Sequence, residues 1–327
     1  MRRKLLITGA SGFVGYHLIR EALRQGDAVF AAVRKTSQVS HLQQPGINLV
    51  YPNFQQTELL KGELEGWGIT HIVHAAALTK AASQQEYNYA NAVLARNLAQ
   101  AASSAAIDLQ RFVFLSSLAA MGPSLNGLPI TEDQTPHPVT FYGKSKLLAE
   151  QYLADVGPLP LTGLRPTAVY GPREKDLFIV LNMIRRGAEF YIGKEPQRLS
   201  FVYVSDLVDG VFKAFDSPAT GSYYHVSDGQ TYDRYALASF VKELLKIRTL
   251  RLHVPLKLVS FFLKIQEGLP RRKGKVSILN RDKLQELTAN WDCSIEKARR
   301  ELKYQPAVLL KEGLSRTIEW YQANNWF

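Results

Sequence analysis

The chain has 327 residues, 46% hydrophobic and 21% charged, with a formal net charge of +11, ample for one large domain or two intimate lobes without covalent staples. Cys293 is the single cysteine, so no intrachain disulfide can form; no zinc-ligand spacing and no apolar N-terminal leader is visible, and a cytoplasmic, metal-free protein is expected. Basic residues are interspersed with acids and no nucleic-acid module is recognisable, so the charge reads as solubility plus attraction for anionic ligands or an anionic membrane face.

The apolar run Lys4 to Thr8 predicts a strand, and Ile7-Thr8-Gly9-Ala10-Ser11-Gly12-Phe13-Val14-Gly15 leads from it through a tight turn into an apolar-periodic helix. That order makes a dinucleotide-phosphate cradle: Gly9 permits the sharp turn, Gly12 lets the backbone approach a pyrophosphate, and Gly15 lets helix and strand pack closely. Ser11, Phe13 and Val14 complete the turn, and the phosphates face the amides of the helix N-terminus. Further short apolar runs follow at Ala28 to Val33, Ile47 to Tyr51, Thr70 to His74, Arg111 to Leu115 and Leu161 to Leu164, with helical patterns between them. This alternation predicts an α/β fold, a Rossmann-type doubly wound parallel sheet over residues 1–170.

In such a sheet the end of the second strand meets the adenosine ribose, where an acid would bond the 2′-hydroxyl of NAD. Here that point reads Ala31-Ala32-Val33-Arg34-Lys35-Thr36-Ser37. Arg34 and Lys35 stand where a 2′-phosphate would lie, which favours NADP over NAD.

The strand Arg111 to Leu115 delivers Ser116 and Ser117 to the carboxyl end of the sheet, where open α/β sheets bind ligands. About 25 residues on, Tyr142 and Lys146 stand four apart at the head of a helical pattern and project from one face. The set suits movement of a hydride and a proton at one carbon. Tyr142 handles the proton, Lys146 lowers its pKa and holds the ribose, and Ser117 positions the substrate oxygen.

Past Leu164 the alternation weakens, and residues 171–327 form a smaller, irregular substrate lobe, with about 199–226 returning to the first domain. Short strands such as Phe201 to Val204 mix there with helices such as Tyr235 to Lys246. Val254 to Ile265 is the lobe's most apolar stretch and is too short to span a bilayer. It reads as a helix over the substrate cleft, giving an apolar, lipid-like substrate wall; with Arg271, Arg272, Lys273 and Lys275 after it, a peripheral membrane contact is the alternative. Trp291, Trp320 and Trp326 are expected to pack or cap the C-terminal helix, and a homodimer is expected.

The whole chain resembles the extended short-chain dehydrogenase/reductases, the group that includes nucleotide-sugar epimerases and dihydroflavonol-reductase-like enzymes. The matching pieces are Thr8-Gly9-x-x-Gly12-x-x-Gly15, His74-Ala75-Ala76-Ala77, Asn91, Ser116-Ser117, Tyr142-Gly143-Lys144-Ser145-Lys146, Leu164-Arg165-Pro166-Thr167-x-Val169-Tyr170-Gly171-Pro172 and Phe201-Val202-Tyr203-Val204-Ser205-Asp206-Leu207. The resemblance implies that Ala75 and Ala76 line the cofactor, that Asn91 supports the active-site strand and proton path, and that Pro166 to Val169 contact the nicotinamide. Two departures narrow the chemistry. Leu118-Ala119 replaces the acidic pair that sugar dehydratases of the group need. Leu199 stands where its epimerases usually carry a diphosphate-binding arginine; Arg198 is displaced by one, and Arg281 could still supply a later contact. An NAD(P)-dependent reductase of a ketone or aldehyde on a moderately apolar substrate is expected. The alternatives are a nucleotide-sugar 4-epimerase and a non-catalytic, cofactor-binding redox sensor or assembly protein.

Overall fold

Leu5, Leu6 and Ile7 of the first strand are completely buried, yet they point to opposite sides, as successive strand residues must. Leu5 and Ile7 join one core layer and Leu6 another. The same split recurs at Val113 and Leu115 against Phe112 and Phe114, and each such fully buried side chain stabilises by about 1.5–3 kcal/mol over exposure. A strand apolar on both faces needs a cover on each side.

The computed structural model describes residues 2–259 and 281–327; Met1, residues 260–280 and the side chain of Arg281 lie outside it. In chain order the elements are β1 (Lys4–Thr8), α1 (Phe13–Arg24), β2 (Ala28–Ala32), β3 (Ile47–Val50), α2 (Thr57–Trp67), β4 (His71–His74), α3 (Gln84–Asn88), α4 (Leu94–Ser104), β5 (Arg111–Leu115), α5 (Phe141–Ala154) and β6 (Leu161–Pro166). There follow β7 (Ala168–Tyr170), α6 (Asp176–Arg185), β8 (Ala188–Ile192), β9 (Arg198–Leu199), β10 (Phe201–Tyr203), α7 (Val204–Asp216), β11 (Ser222–Val226), β12 (Tyr232–Asp233), α8 (Ala236–Leu245) and β13 (Leu250–Val254). The last helices are α9 (Arg281–Thr288), α10 (Glu296–Glu301) and α11 (Leu310–Ala323).

The main sheet has seven strands in the order β11-β6-β5-β4-β1-β2-β3, all parallel. Helices α1 and α7 pack together on one face, and α2, α4 and α5 on the other. The order reverses between β1 and β4, so the loops after these two strands diverge and leave a crevice at their carboxyl ends. This is the doubly wound Rossmann-type sheet expected.

A second core holds the lobe together, with Tyr170, Leu181, Phe201, Leu314 and Tyr321 at its centre. Three short two-stranded ribbons, β7 with β10, β9 with β12 and β8 with β13, stand apart from the main sheet. Three expectations change here. The strand expected to reach Val204 stops at Tyr203, because Val204 opens α7 and Asp206 in its first turn suits a helix N-terminus. Val254 ends strand β13 and the expected helix begins two residues later, at Leu256; the rest of the Val254 to Ile265 stretch beyond Val259, with Arg271 to Lys275, lies outside the described residues. Trp320 and Trp326 do pack around Tyr321 of α11, but Trp291 does not: its indole donates to the Glu286 carbonyl at 2.8 Å and its backbone bridges to Leu199.

Candidate active site

Two strand ends that are far apart in sequence make the cradle. Gly9 has φ +68°, and a Cβ there would stand 2.9 Å from the Ala75 carbonyl and the Ala76 amide. At Gly15 a Cβ would come within 2.2 Å of the Gly9 carbonyl oxygen. The first glycine therefore presses the turn onto the loop after β4, and the third presses α1 onto the turn. Gly12 caps α1 with no side-chain hydrogen bond, and the first turn carries no acid. The amides at Phe13 and Val14 thus stay available to an anion, beside Ser11.

Thr8 ties the two loops together. Its Oγ1 accepts the Ala76 amide at 3.0 Å and lies 2.9 Å from His74 Nδ1. Burial, with the nearby Lys146, lowers the His74 pKa to about 3, so the ring stays neutral. Ala75 and Ala76 are thus held at the crevice wall, a fit for a dinucleotide phosphate and ribose. Arg34 and Lys35 follow β2 and are exposed. A turn closed by Ser37, whose amide donates to the Arg34 carbonyl at 2.9 Å, presents them, and neither is ion-paired among the described residues.

The reacting groups converge at the ends of β5 and β6. Thr140 caps α5, its hydroxyl accepting the Gly143 amide at 3.0 Å, so Tyr142 and Lys146 begin a helix that starts at the crevice. Tyr142 is half-buried. Burial raises its phenol to about 12, while a hydrogen bond with the Ser117 hydroxyl pulls the other way; the Glu286 carboxylate and Tyr87 raise it further. Lys146 is buried, donates to the Leu115 carbonyl at 2.6 Å and sits 4.4 Å over the Phe114 ring. Its burial lowers it to about 7, against the pull of Glu150. In this structure the Lys146 ammonium is turned to the strand end beneath, and the contact that lowers the Tyr142 pKa is the Ser117 hydroxyl.

The two serines part company. Ser116 is buried and donates to Glu150, which also accepts a two-pronged grip from Arg165 at 2.9 and 2.6 Å. Ser117 caps the short turn Leu118–Ala120 and faces Tyr142. Glu150 and its role escaped the sequence reading, although its place one turn after Lys146 on α5 was a usable sign. Asn91 lies in a π-turn, Tyr89–Val93, where it grips Leu78 by both backbone atoms and donates to Ser145 Oγ at 2.9 Å. It fastens the loop after β4 to α5. Pro166 closes β6 and is buried, and Val169 pairs with Val202 on the next ribbon.

Arg198 is engaged elsewhere, in an ion pair with Asp292 and a hydrogen bond to the Gly127 carbonyl. Leu199 packs against the aromatic core of the lobe. Among the described residues no group of three or more His, Cys, Asp or Glu side chains is placed to hold a metal, and no helix is long and apolar enough to cross a membrane.

Residues 5–227 match the NAD dependent epimerase/dehydratase family. The chain belongs to that family. Within the epimerase/dehydratase family it is 29% identical to a UDP-glucose 4-epimerase of Vibrio cholerae, over 99% of this chain and 98% of the relative. It is 25% identical to the decarboxylating sterol-4-alpha-carboxylate 3-dehydrogenase of Dictyostelium discoideum, over 95% and 99%. Among solved structures of that fold, the Bordetella bronchiseptica enzyme WbmG in complex with NAD and UDP superposes with a TM-score of 0.79 at 21% identity, covering 99% of this chain and 96% of that one. The epimerase/dehydratase relatives thus comprise sugar-nucleotide epimerases and dehydrogenases, enzymes that use a nicotinamide dinucleotide.

Proposed function

We propose that this chain is an NADP-dependent carbonyl reductase, acting on a ketone or aldehyde of a moderately apolar small molecule. The observation that carries the reading is the convergence of Ser117, at the end of β5, with Tyr142 and Lys146, in the first turns of α5: a phenol protonated at neutral pH stands there where it can give its proton to a carbonyl oxygen. When bound, the nicotinamide dinucleotide supplies the hydride. Ser117 holds the substrate oxygen beside Tyr142, and Lys146 anchors the ribose from below. The turn from Gly9 to Gly15, with Ala75, Ala76, Pro166 and Val169, would line the rest of the cofactor. Arg34 and Lys35, exposed and unopposed by any acid in their loop, support a 2′-phosphate and hence NADP, with NAD as second choice because WbmG was solved with it. The intact Ser117, Tyr142 and Lys146 set supports turnover over a sensor role.

A nucleotide-sugar 4-epimerase is the second reading, favoured by the near full-length similarity to the Vibrio cholerae enzyme. Against it, Leu199 occupies the place of the diphosphate-binding arginine and Arg198 is already paired with Asp292. Calorimetric titration of the purified protein decides. We expect NADPH to bind reversibly and uridine diphosphate to give no binding at about millimolar concentration. Tight diphosphate binding together with a non-exchanging NAD would establish the epimerase, with Arg281 the first residue to change.

A further inference from the structure

The β8–β13 ribbon is inside out. Strand residues alternate faces, and in the observed register Leu250 opposes Ala188, Leu252 opposes Phe190 and Val254 opposes Ile192. One face is therefore wholly apolar, and the other carries Glu189, Tyr191, Arg251 and His253. A ribbon laid on a soluble protein buries its apolar face. This one turns the polar face inward, with Glu189 buried and Arg251 still exposed: Glu189 accepts from Lys242 at 2.8 Å, Thr249 at 2.6 Å and Tyr191 at 2.7 Å, and the Tyr235 hydroxyl lies 2.9 Å from His253. Burial would raise the Glu189 carboxyl, yet these hydrogen bonds hold it down to about 2. These bonds fasten the inward face to α8 and the loop before β13.

At one end of the apolar face Ile192 and Val254 pack against Val259 and Leu284; at the other, Phe190 is 49%, Leu250 64% and Leu252 37% exposed. The face runs on to α6, where Ile179 and Met183 line one shallow depression with Ala188. Around it stand exposed cations: Arg185 and Arg186 at the end of α6, Lys194 after β8, Lys246 and Arg248 before β13, and Lys257 after it. From Lys246 to Leu258 the chain has no acid at all. In the surrounding loops Glu195 is exposed, and Glu243 is already paired with Lys311 at 2.5 Å.

We propose that this face docks on an anionic lipid surface, with Phe190, Leu250 and Leu252 entering the headgroup layer and the rim cations meeting lipid phosphates. An apolar centre within a cationic rim fits that chemistry. A second copy of the chain fits it poorly, since a two-fold contact would set the same cationic rim against itself. The proposed face uses none of the reacting groups and stands independently of the substrate reading.

The test is co-flotation of the full-length protein with phosphatidylcholine vesicles, with and without phosphatidylglycerol, at low and high salt. Binding is expected only to the anionic vesicles, and to weaken with salt. The triple variant F190S/L250S/L252S, all at exposed positions, should keep the wild-type melting temperature and NADPH binding while partitioning roughly tenfold less or weaker still. R186A/R248A should weaken binding to anionic vesicles alone. Absence of wild-type binding, or equal binding by the folded triple variant, overturns the proposal. So does a change in light-scattering mass between wild type and triple variant without vesicles, which would give the face to a second copy.

Discussion

At the ends of β4, β5 and β6 the polar side chains are already committed: Glu150 to Ser116 and Arg165, Asn91 to Leu78 and Ser145, Lys146 to the Leu115 carbonyl. At the end of β2, Arg34 and Lys35 stand exposed, with no ion pair among the described residues. One end of the crevice is built from side chains already partnered within the protein; at the other, the proposed cofactor phosphate would supply the partner. Buried polar groups have left water in the folded state, so removing one partner strands the other. An exposed cation has given up nothing until a phosphate comes. Losses at the first end should therefore appear in chemistry or folding, and losses at the second only in cofactor selectivity.

Three substitutions probe that contrast, from the largest effect down. Tyr142→Phe keeps the ring and removes the proton donor, so NADPH oxidation by a carbonyl substrate should fall by about 10²–10⁴ while cofactor binding persists. Near-normal turnover in stopped-flow assays would move the acid elsewhere. Glu150→Ala leaves the Arg165 guanidinium buried and unpaired, and urea unfolding should show a loss of about 3–5 kcal/mol. A loss under about 1 kcal/mol would mean that water or another group takes up the arginine. Arg34→Ala should weaken NADPH by about 1.5–3 kcal/mol, the range of a charged hydrogen bond, and spare both NADH and stability. Equal weakening of the two dinucleotides would remove the 2′-phosphate assignment.

The elements legible in the sequence were those whose cause is local. Strands β1 and β5 have the bounds their apolar runs predicted, and Tyr142 and Lys146 fall on one helix because a period of 3.6 sets them there. Strand β11 had no such mark: Ser222-Tyr223-Tyr224-His225-Val226 is only partly apolar, and it becomes a strand by pairing with β6. Gly163 takes part in that pairing, since a Cβ there would fall 2.1 Å from the Tyr223 ring. The ribbon β8–β13 was hidden for the opposite reason, its alternation being plain but its inward face decided by Lys242 and Thr249.

From the sequence alone came the strand, glycine turn and helix of the cradle, the strand–helix alternation of the first domain, and Tyr142 and Lys146 on one helix face, because each rests on neighbours within a few positions. The sequence reading favours Ser117, and tertiary structure supplies the physical reason. Ser116 and Ser117 are adjacent and alike, and only a carboxylate 34 residues later takes the first and leaves the second to face Tyr142. Tertiary structure also decided the burial that raises the Tyr142 phenol, since burial is a property of everything packed around a side chain, and no stretch of sequence contains that.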